Sequence, residues 1–370
     1  LLVLFKSNDL FIVNTFYDIT LSEVYKETDD TTVLAFAVPE ELKETFAYRQ
    51  GQFLTLKAMI NGEDVRRSYS LCSSPLDNEW KVAVKEIYQG KFSTYVNRQL
   101  KTGDVLQVAV PSGDFGIECY SEEVAKNYVA FAAGSGITPM LSIIKTHLKK
   151  EPKAKFKLFY LNRTAKSIIF KEEIEALKNQ FLSRFEVFYF LSREHRDIPL
   201  FNGRFDQEKM QTLTQTLINA PHTDHAFICG PEEMIFLIRD ELVAAGMPKE
   251  RVHFELFVSG LSDADKARSA AALEQKVDGV DVTIIDGSKE FHFILGDEYD
   301  NVLDGAIGAG ADLPYACKGG VCSTCKCRVK EGSVAMKVNY ALTDEEVEKG
   351  LVLSCVSVPT SKKLVVDFDV

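Results

Sequence analysis

No apolar run in this 370-residue chain approaches the roughly eighteen residues needed to cross a bilayer, which argues against a membrane span. Basic residues are outnumbered, 43 Lys and Arg against 54 Asp and Glu, for a formal net charge of -11. That sign of charge argues against nucleic acid as a partner, because binding phosphates needs a basic face. The eight cysteines lack the even spread of a secreted disulfide scaffold, because five of them fall between Cys317 and Cys355. They also lack the doubled pairs of close cysteines that mark structural zinc sites. The loop Gly134-Ser135-Gly136 has no third glycine to complete a dinucleotide fingerprint, and Pro139 stands where the helix should begin, so it is a nucleotide loop of another kind. Leu1 to Thr15 is interrupted by Lys6, Asn8 and Asp9 and offers no small-residue cleavage site, so it reads as an extension of unknown role rather than a signal peptide.

What is present is an ordinary globular composition, 46% hydrophobic and 26% charged, in a chain long enough for two or three cores. Its most specific stretch is Cys317-Lys318-Gly319-Gly320-Val321-Cys322-Ser323-Thr324-Cys325, followed thirty residues later by Cys355. That is the plant-type spacing for holding a 2Fe-2S cluster. Gly319 and Gly320 leave room for the backbone to curl around the sulfides. Cys327 falls in an expected strand, Lys326 to Lys330, and reads as a packed thiol rather than a ligand.

From about Phe16 to Pro111 the chain alternates in short runs, among them Thr31 to Val38, Phe53 to Met59 and Lys81 to Ile87, with turn signals such as Asn61-Gly62 between. These predict a small antiparallel barrel. Arg67, Tyr69 and Ser70 lie together in it, able to address a flavin's phosphate, ring plane and ring heteroatom, although such a pattern also suits half-exposed surface. Gly90 and Ser93 open the helical run Thr94 to Leu100 and form either an anion seat or a plain N-cap. After Tyr120 the period changes. Strands Tyr128 to Ala133, Lys155 to Leu161, Phe185 to Leu191 and His225 to Cys229 alternate with helices Met140 to Lys150, Lys166 to Gln180, Gln207 to Asn219 and Pro231 to Ala245, a doubly wound pattern. At its strand ends stand Gly134, Ser135, Gly136 and Thr138 for a pyrophosphate, Arg163, Ser192 and Arg193 for a 2′-phosphate, and Cys229-Gly230-Pro231 for a nicotinamide. A strand-end arginine also suits solvated surface, and Cys229 also suits a buried thiol before a Pro-started helix.

Arg67-x-Tyr69-Ser70, Gly90-x-x-Ser93, Gly134 to Pro139 and Cys229-Gly230-Pro231, in that order, resemble the ferredoxin-NADP reductase family over residues 16 to 257. The tail, from Leu313 through the cysteine loop to Val334-Ala335-Met336, Asn339-Tyr340, Leu353-Ser354-Cys355 and Val365 to Asp369, is similar to the subgroup that serves phenylacetyl-CoA epoxidase and carries a plant-type ferredoxin domain. The resemblance implies three domains: an antiparallel β-barrel FAD domain (16–120), a doubly wound α/β NADP domain (121–257) and an α+β ferredoxin (β-grasp) domain (277–370). It implies that Arg67 holds FAD phosphates, Tyr69 packs on the isoalloxazine and Ser70 bonds near its N5. Cys229 would lie near the nicotinamide C4, with Glu255 and Phe257 closing over the flavin; the catalytic set is then Ser70, Cys229 and Glu255. Cys317, Cys322, Cys325 and Cys355 would hold the cluster, and Ser192-Arg193-Glu194 would favour NADPH, with NADH as the alternative nucleotide.

Residues 258–276 are small and charged, suited to a flexible or weakly helical tether. The ferredoxin region opens with expected strands Val280 to Asp286 and Glu290 to Leu295, joined at Gly287-Ser288, and a helix from Asn301 to Ala309. From Val277 onward there are 16 acidic and 9 basic residues, net -7, which suits either steering to a basic partner or a well-solvated surface. Electrons would run from NADPH through FAD to the cluster and on to a di-iron oxygenase of phenylacetate catabolism, in the cytoplasm. The competing readings are a reductase for an aromatic-ring or steroid hydroxylase and a redox-sensing binding protein.

Overall fold

The computed structural model describes residues 15–257, 263–287 and 289–370. The expected extension up to residue 14, the first part of the expected linker and Ser288 of the expected turn lie outside these residues. Contacts divide the chain into two compact units, one built from most of residues 18–257 and the other from the elements after Asp263.

The first unit begins with an antiparallel barrel of six strands, β1 (Phe16–Thr28), β2 (Thr31–Ala37), β3 (Phe53–Ile60), β4 (Glu63–Ser70), β5 (Trp80–Lys85) and β6 (Val105–Ala109). Their order is β4-β3-β6-β1-β2-β5, and an antiparallel bridge between Leu71 and Val82 brings the two outermost strands together. Alternation of buried and outward residues sets the register: Ile19 and Leu21 of β1 and Val82 and Val84 of β5 point into a closed apolar interior. Helix α1 (Lys91–Arg98) lies across it, held by buried Asn97, which donates to the carbonyls of Val84 and Ser93 at 2.9 Å each.

The second half of this unit is a parallel sheet of β7 (Asn127–Ala133), β8 (Lys155–Asn162), β9 (Phe185–Leu191), β10 (His225–Gly230) and β11 (Val252–Leu256), in the order β11-β10-β7-β8-β9. Connecting helices are α2 (Ile137–Lys150), α3 (Lys171–Gln180), α4 (Gln207–Thr216) and α5 (Glu232–Ala244). The strand order reverses between β7 and β10, the point at which such sheets bind nucleotides. Two expected boundaries are corrected. Helix α2 begins before Pro139, which sits in the first turn where its missing N–H costs nothing. Helix α3 starts later than expected: a capping box at Thr164 closes a 3-10 turn, Ile168 to Phe170 are buried, and Phe170 adopts a left-handed φ of 59° that interrupts the helix. Strand β11 has no counterpart among the expected strands; its five residues are too few for period to distinguish.

The second unit carries helix α6 (Asp263–Glu274), then β12 (Val280–Asp286), β13 (Lys289–Leu295), α7 (Val302–Gly308), β14 (Lys326–Glu331), β15 (Val334–Met336), α8 (Asp344–Glu348), β16 (Leu351–Leu353), β17 (Ser357–Pro359) and β18 (Lys363–Asp367). The main sheet runs β13-β12-β18-β14-β16, with β12 and β18 parallel at its centre and the other pairs antiparallel. This is the β-grasp arrangement, with α7 packed on one face. Within the stretch expected as a flexible or weakly helical tether, Asp263–Glu274 form a regular helix.

Candidate active site and cluster loop

β4 ends the barrel's strand order and presents Arg67 and Tyr69 on one face, two residues apart. Arg67 is exposed and its Nη1 donates to the Arg66 carbonyl at 2.7 Å. Tyr69 is half-buried, its ring tilted 38° against Phe92 at 5.8 Å between centroids. Gly90 is the N-cap of α1, and the first turn of that helix carries no acidic residue. A side chain at Gly90 would stand 2.4 Å from both Ile87 Cγ1 and Ser93 Oγ, so it would push aside the hydroxyl that braces the turn. Ser93 lies inside the helix; its hydroxyl accepts from the Ile87 amide at 3.2 Å and donates to the Gly90 carbonyl at 3.3 Å. The hydroxyl braces the turn and leaves the first-turn amides of α1 as the donors for an anion. A half-buried ring one step from a helix N-terminus fits a flavin with its phosphates. Phe92, the inner wall of this corner, gives no sign in the sequence beyond its place in a helical run.

Ser70, the next residue of β4, is buried and donates to Glu255 Oε2 at 3.1 Å. Glu255 pairs in register with Cys229 on the adjacent strand. The three expected catalytic residues are thus brought together from β4, β10 and β11. Burial pushes the Glu255 carboxyl up to about 7, against the opposing effect of the Ser70 hydrogen bond. Burial, reinforced by the Glu255 charge, holds the Cys229 thiol well above its ordinary range, so a neutral S–H faces this corner. Phe257 is half-buried against the same apolar core.

The nucleotide loop sits beside them. Gly134–Gly136 form a 3-10 turn from β7 into α2, with Gly134 at φ +51. A side chain on Gly136 would lie 2.2 Å from the Cys229 carbonyl oxygen, so this glycine is what allows the turn to approach β10. Thr138 Oγ1 donates to the Ser135 carbonyl at 3.0 Å and Tyr160 to that of Gly134 at 2.9 Å, fixing the turn from both sides. Gly230 packs under Met234, and Pro231 caps α5. Two close backbones at the switch point, one closed by glycine and one by a neutral thiol, fit a nicotinamide nucleotide. Two strands away, the Arg193 amide donates to the Arg163 carbonyl at 2.8 Å and the Ser192 amide to that of Asn162 at 2.9 Å, so all three expected phosphate-reading residues share one edge. Glu194 accepts from the Ala165 amide at 2.7 Å and is committed to the loop.

In the second unit Cys325 and Cys355 are buried and Cys317 and Cys322 partly so. Pairing of Lys326 with Leu353 and donation from Ser354 to the Cys325 carbonyl carry the distant Cys355 onto the loop. Donation from Cys322 and then Cys355 favours the thiolate at Cys317, whose sulfur also accepts from the Gly319 amide at 3.3 Å. Lys318 and Ser323 hold left-handed φ values of 51° and 56°, conformations that non-glycine residues keep only where the surroundings demand them. Gly320 is also left-handed, and a Cβ there would press on Val338 at 3.0 Å. Converging sulfurs, an amide aimed at one of them and a loop curled inward fit a 2Fe-2S cluster. Cys327 is fully buried in the β-grasp core.

Together these features define a flavin- and nucleotide-dependent oxidoreductase with an iron-sulfur outlet. Three families match the chain: an oxidoreductase FAD-binding domain over residues 18–117, an oxidoreductase NAD-binding domain over 131–240 and a 2Fe-2S iron-sulfur cluster binding domain over 285–360. The chain is 43% identical to a subunit of the 1,2-phenylacetyl-CoA epoxidase of Escherichia coli K12, covering 96% of this chain and 99% of that protein. It is 36% identical to the ferredoxin reductase component of 3-ketosteroid-9-alpha-monooxygenase from Rhodococcus rhodochrous, over 95% and 96% of the two chains. The solved phthalate dioxygenase reductase shares the fold, with a TM-score of 0.58 at 24% identity, covering 95% of this chain and 98% of that one. The chain belongs to the ferredoxin-NADP reductase family, in the branch of oxygenase reductase components that join FAD-binding, NAD-binding and 2Fe-2S domains. Among the described residues no helix is long and apolar enough to cross a membrane.

Proposed function

We propose that this chain is the reductase component of a phenylacetyl-CoA epoxidase, carrying electrons from NADPH to a di-iron oxygenase in the cytoplasm. The observation that carries this reading is the 43% identity along nearly the full length of both proteins. The proposed domains are 16–120 for FAD, 121–257 for the nucleotide, 258–276 as connection and 277–370 for the cluster. Bound FAD accepts electrons from the nucleotide in a pair and releases them singly, as a 2Fe-2S cluster requires. The chain's own residues orient and protect these groups. Arg67 and the first turn of α1 with Gly90 and Ser93 take the flavin phosphates, and Tyr69 covers the ring. Ser70 and Glu255 present a proton-holding pair to the ring edge, and Cys229 packs a neutral thiol against the nicotinamide. Phe257 shields the flavin from water. Gly134, Ser135, Gly136, Thr138, Gly230 and Pro231 shape the pyrophosphate cleft, and Arg163, Ser192 and Arg193 favour a 2′-phosphate. Cys317, Cys322, Cys325 and Cys355 ligate the cluster.

Anaerobic titration with NADPH and with NADH, following flavin and cluster bands separately, tests the electron path. Both chromophores should bleach, at lower concentrations of NADPH than of NADH; failure to bleach either overturns the scheme. Mixing the reduced protein with purified phenylacetyl-CoA epoxidase oxygenase subunits and phenylacetyl-CoA should give epoxide. The 36% identity to a ketosteroid monooxygenase reductase supports a second reading, a steroid oxygenase as client. Turnover with that oxygenase alone would decide for it.

A further inference from the structure

Helix α6 is not built like a free connection. Asp265 and Ala272 are buried and Ser269 and Leu273 half-buried, while Lys266, Ala267, Arg268, Ala270, Ala271 and Glu274 are exposed. The covered positions follow the i, i+4, i+7, i+8 stripe of a helix docked along one face, and that face lies on β15. At its first turn Asp265 is 1% exposed, and Tyr340 Oη donates to its Oδ2. Arg268 Nη2 stands 3.6 Å from the other carboxylate oxygen. Placing a carboxylate out of water is costly unless it is paired, so this contact fixes one docked position. Tyr340 also reaches the cluster loop, since its amide donates to the Gly320 carbonyl at 3.1 Å. At the far end of the helix, the Val277 amide donates to the Pro359 carbonyl at 3.0 Å and Lys276 to that of Asp297 at 2.9 Å.

We propose that Asp265 and Tyr340 form a latch that makes α6 part of the ferredoxin domain, and that they are positioning residues for electron transfer from flavin to cluster. The proposal rests on the electron path given above. Each nucleotide oxidised releases two electrons, so two single transfers from flavin to cluster are needed, and the latch sets the length of chain through which the cluster is held for them. With α6 docked, five residues separate Phe257 from the held helix; with α6 released, the connection grows by the helix's 12 residues. Effective concentration falls as about the -3/2 power of connection length, so release should lower it about sixfold.

The test compares Asp265→Ala and Tyr340→Phe with the parent holoprotein. Hydrogen exchange should show the amides of residues 267–274, those with acceptors inside the helix, protected in the parent and about ten- to a hundredfold less protected in each variant, the equivalent of losing a hydrogen bond to a charged group. In stopped-flow mixing with NADPH, flavin bleaching should keep its rate while cluster bleaching slows about sixfold. The visible circular dichroism and reduction potential of the cluster should not move. Unprotected α6 amides in the parent, or lost protection with an unchanged cluster rate, would overturn the latch. So would a slowed rate accompanied by a shifted potential, which would assign the effect to the cluster itself. Should Tyr340→Phe fail to load a cluster, Asp265→Ala decides alone, because its side chain sits on the helix and not on the cysteine loop. Should NADPH leave the flavin oxidised in the parent, the electron path has failed, and the exchange data still judge the latch.

Discussion

Glu255 is the residue in which position and chemistry are most tightly joined. Its carboxyl is desolvated at the end of β11 and kept near neutrality by that burial, with only the Ser70 hydroxyl working in the other direction. The consequence for stability has a definite sign. Between about pH 4.5 and 7 the folded chain retains a proton that the unfolded chain has released, so this contribution falls as pH rises through that window and is constant above it. The loss is on the order of 3 kcal/mol. Thermal melts of the flavin-free protein at pH 5 and pH 8 should therefore differ less for Glu255→Gln than for the parent. Ser70→Ala, which removes the opposing hydrogen bond, should move the parent's inflection to higher pH. An identical pH profile for the parent and Glu255→Gln would show that the carboxyl is not perturbed. The membership of this trio is legible in the sequence, because Arg67-x-Tyr69-Ser70 and Cys229-Gly230-Pro231 come in a recognisable order. Its electrostatics is not: the burial of Glu255 depends on a strand whose pattern no period reveals.

At the level of elements, the glycine loop after β7 shows how little room the nucleotide site leaves. Gly134 and Gly136 look equivalent in the sequence, yet they do different things. Gly134 has a left-handed φ and nothing within 4 Å of a would-be Cβ, whereas Gly136 faces the Cys229 carbonyl at 2.2 Å, a backbone atom that cannot swing aside. Gly134→Ala should cost about 1 kcal/mol, the penalty of the left-handed conformation. Gly136→Ala should cost about 3 kcal/mol or more, because β7 and β10 must separate to admit the methyl. Urea denaturation measures both, and equal costs would contradict the close approach. Helix boundaries illustrate the same limit. The start of α3 is hidden because Ile168 to Phe170 contain no Gly or Pro to mark a break, while tertiary packing buries them and turns Phe170 left-handed. Helix α6 reads as a tether because a small, charged composition describes its exposed faces well. The stripe of Asp265, Ser269, Ala272 and Leu273 contains only one large apolar residue, too weak a signal to announce a docked face.

For the whole molecule the uneven charge carries the argument. Of the net -11, -7 belongs to the last 94 residues, where the cluster is to be held, and the remaining chain is close to balanced for its length. Exposed acidic groups on α8, Asp344, Glu345 and Glu348, lie in the segment just before the strand that delivers Cys355. Steering by such a field acts on encounters between molecules and fades once the Debye length shrinks, from about 30 Å at 0.01 M to about 8 Å at 0.15 M. The rate at which the reduced protein delivers electrons to its oxygenase should therefore fall about tenfold or more over that range of salt. Transfer from flavin to cluster occurs within one chain and should change far less, which supplies an internal control in the same stopped-flow trace. If both steps respond alike, the salt is acting on the protein's own conformation. If neither responds, the acidic excess serves solubility, and recognition of the oxygenase must rest on shape and apolar contact instead.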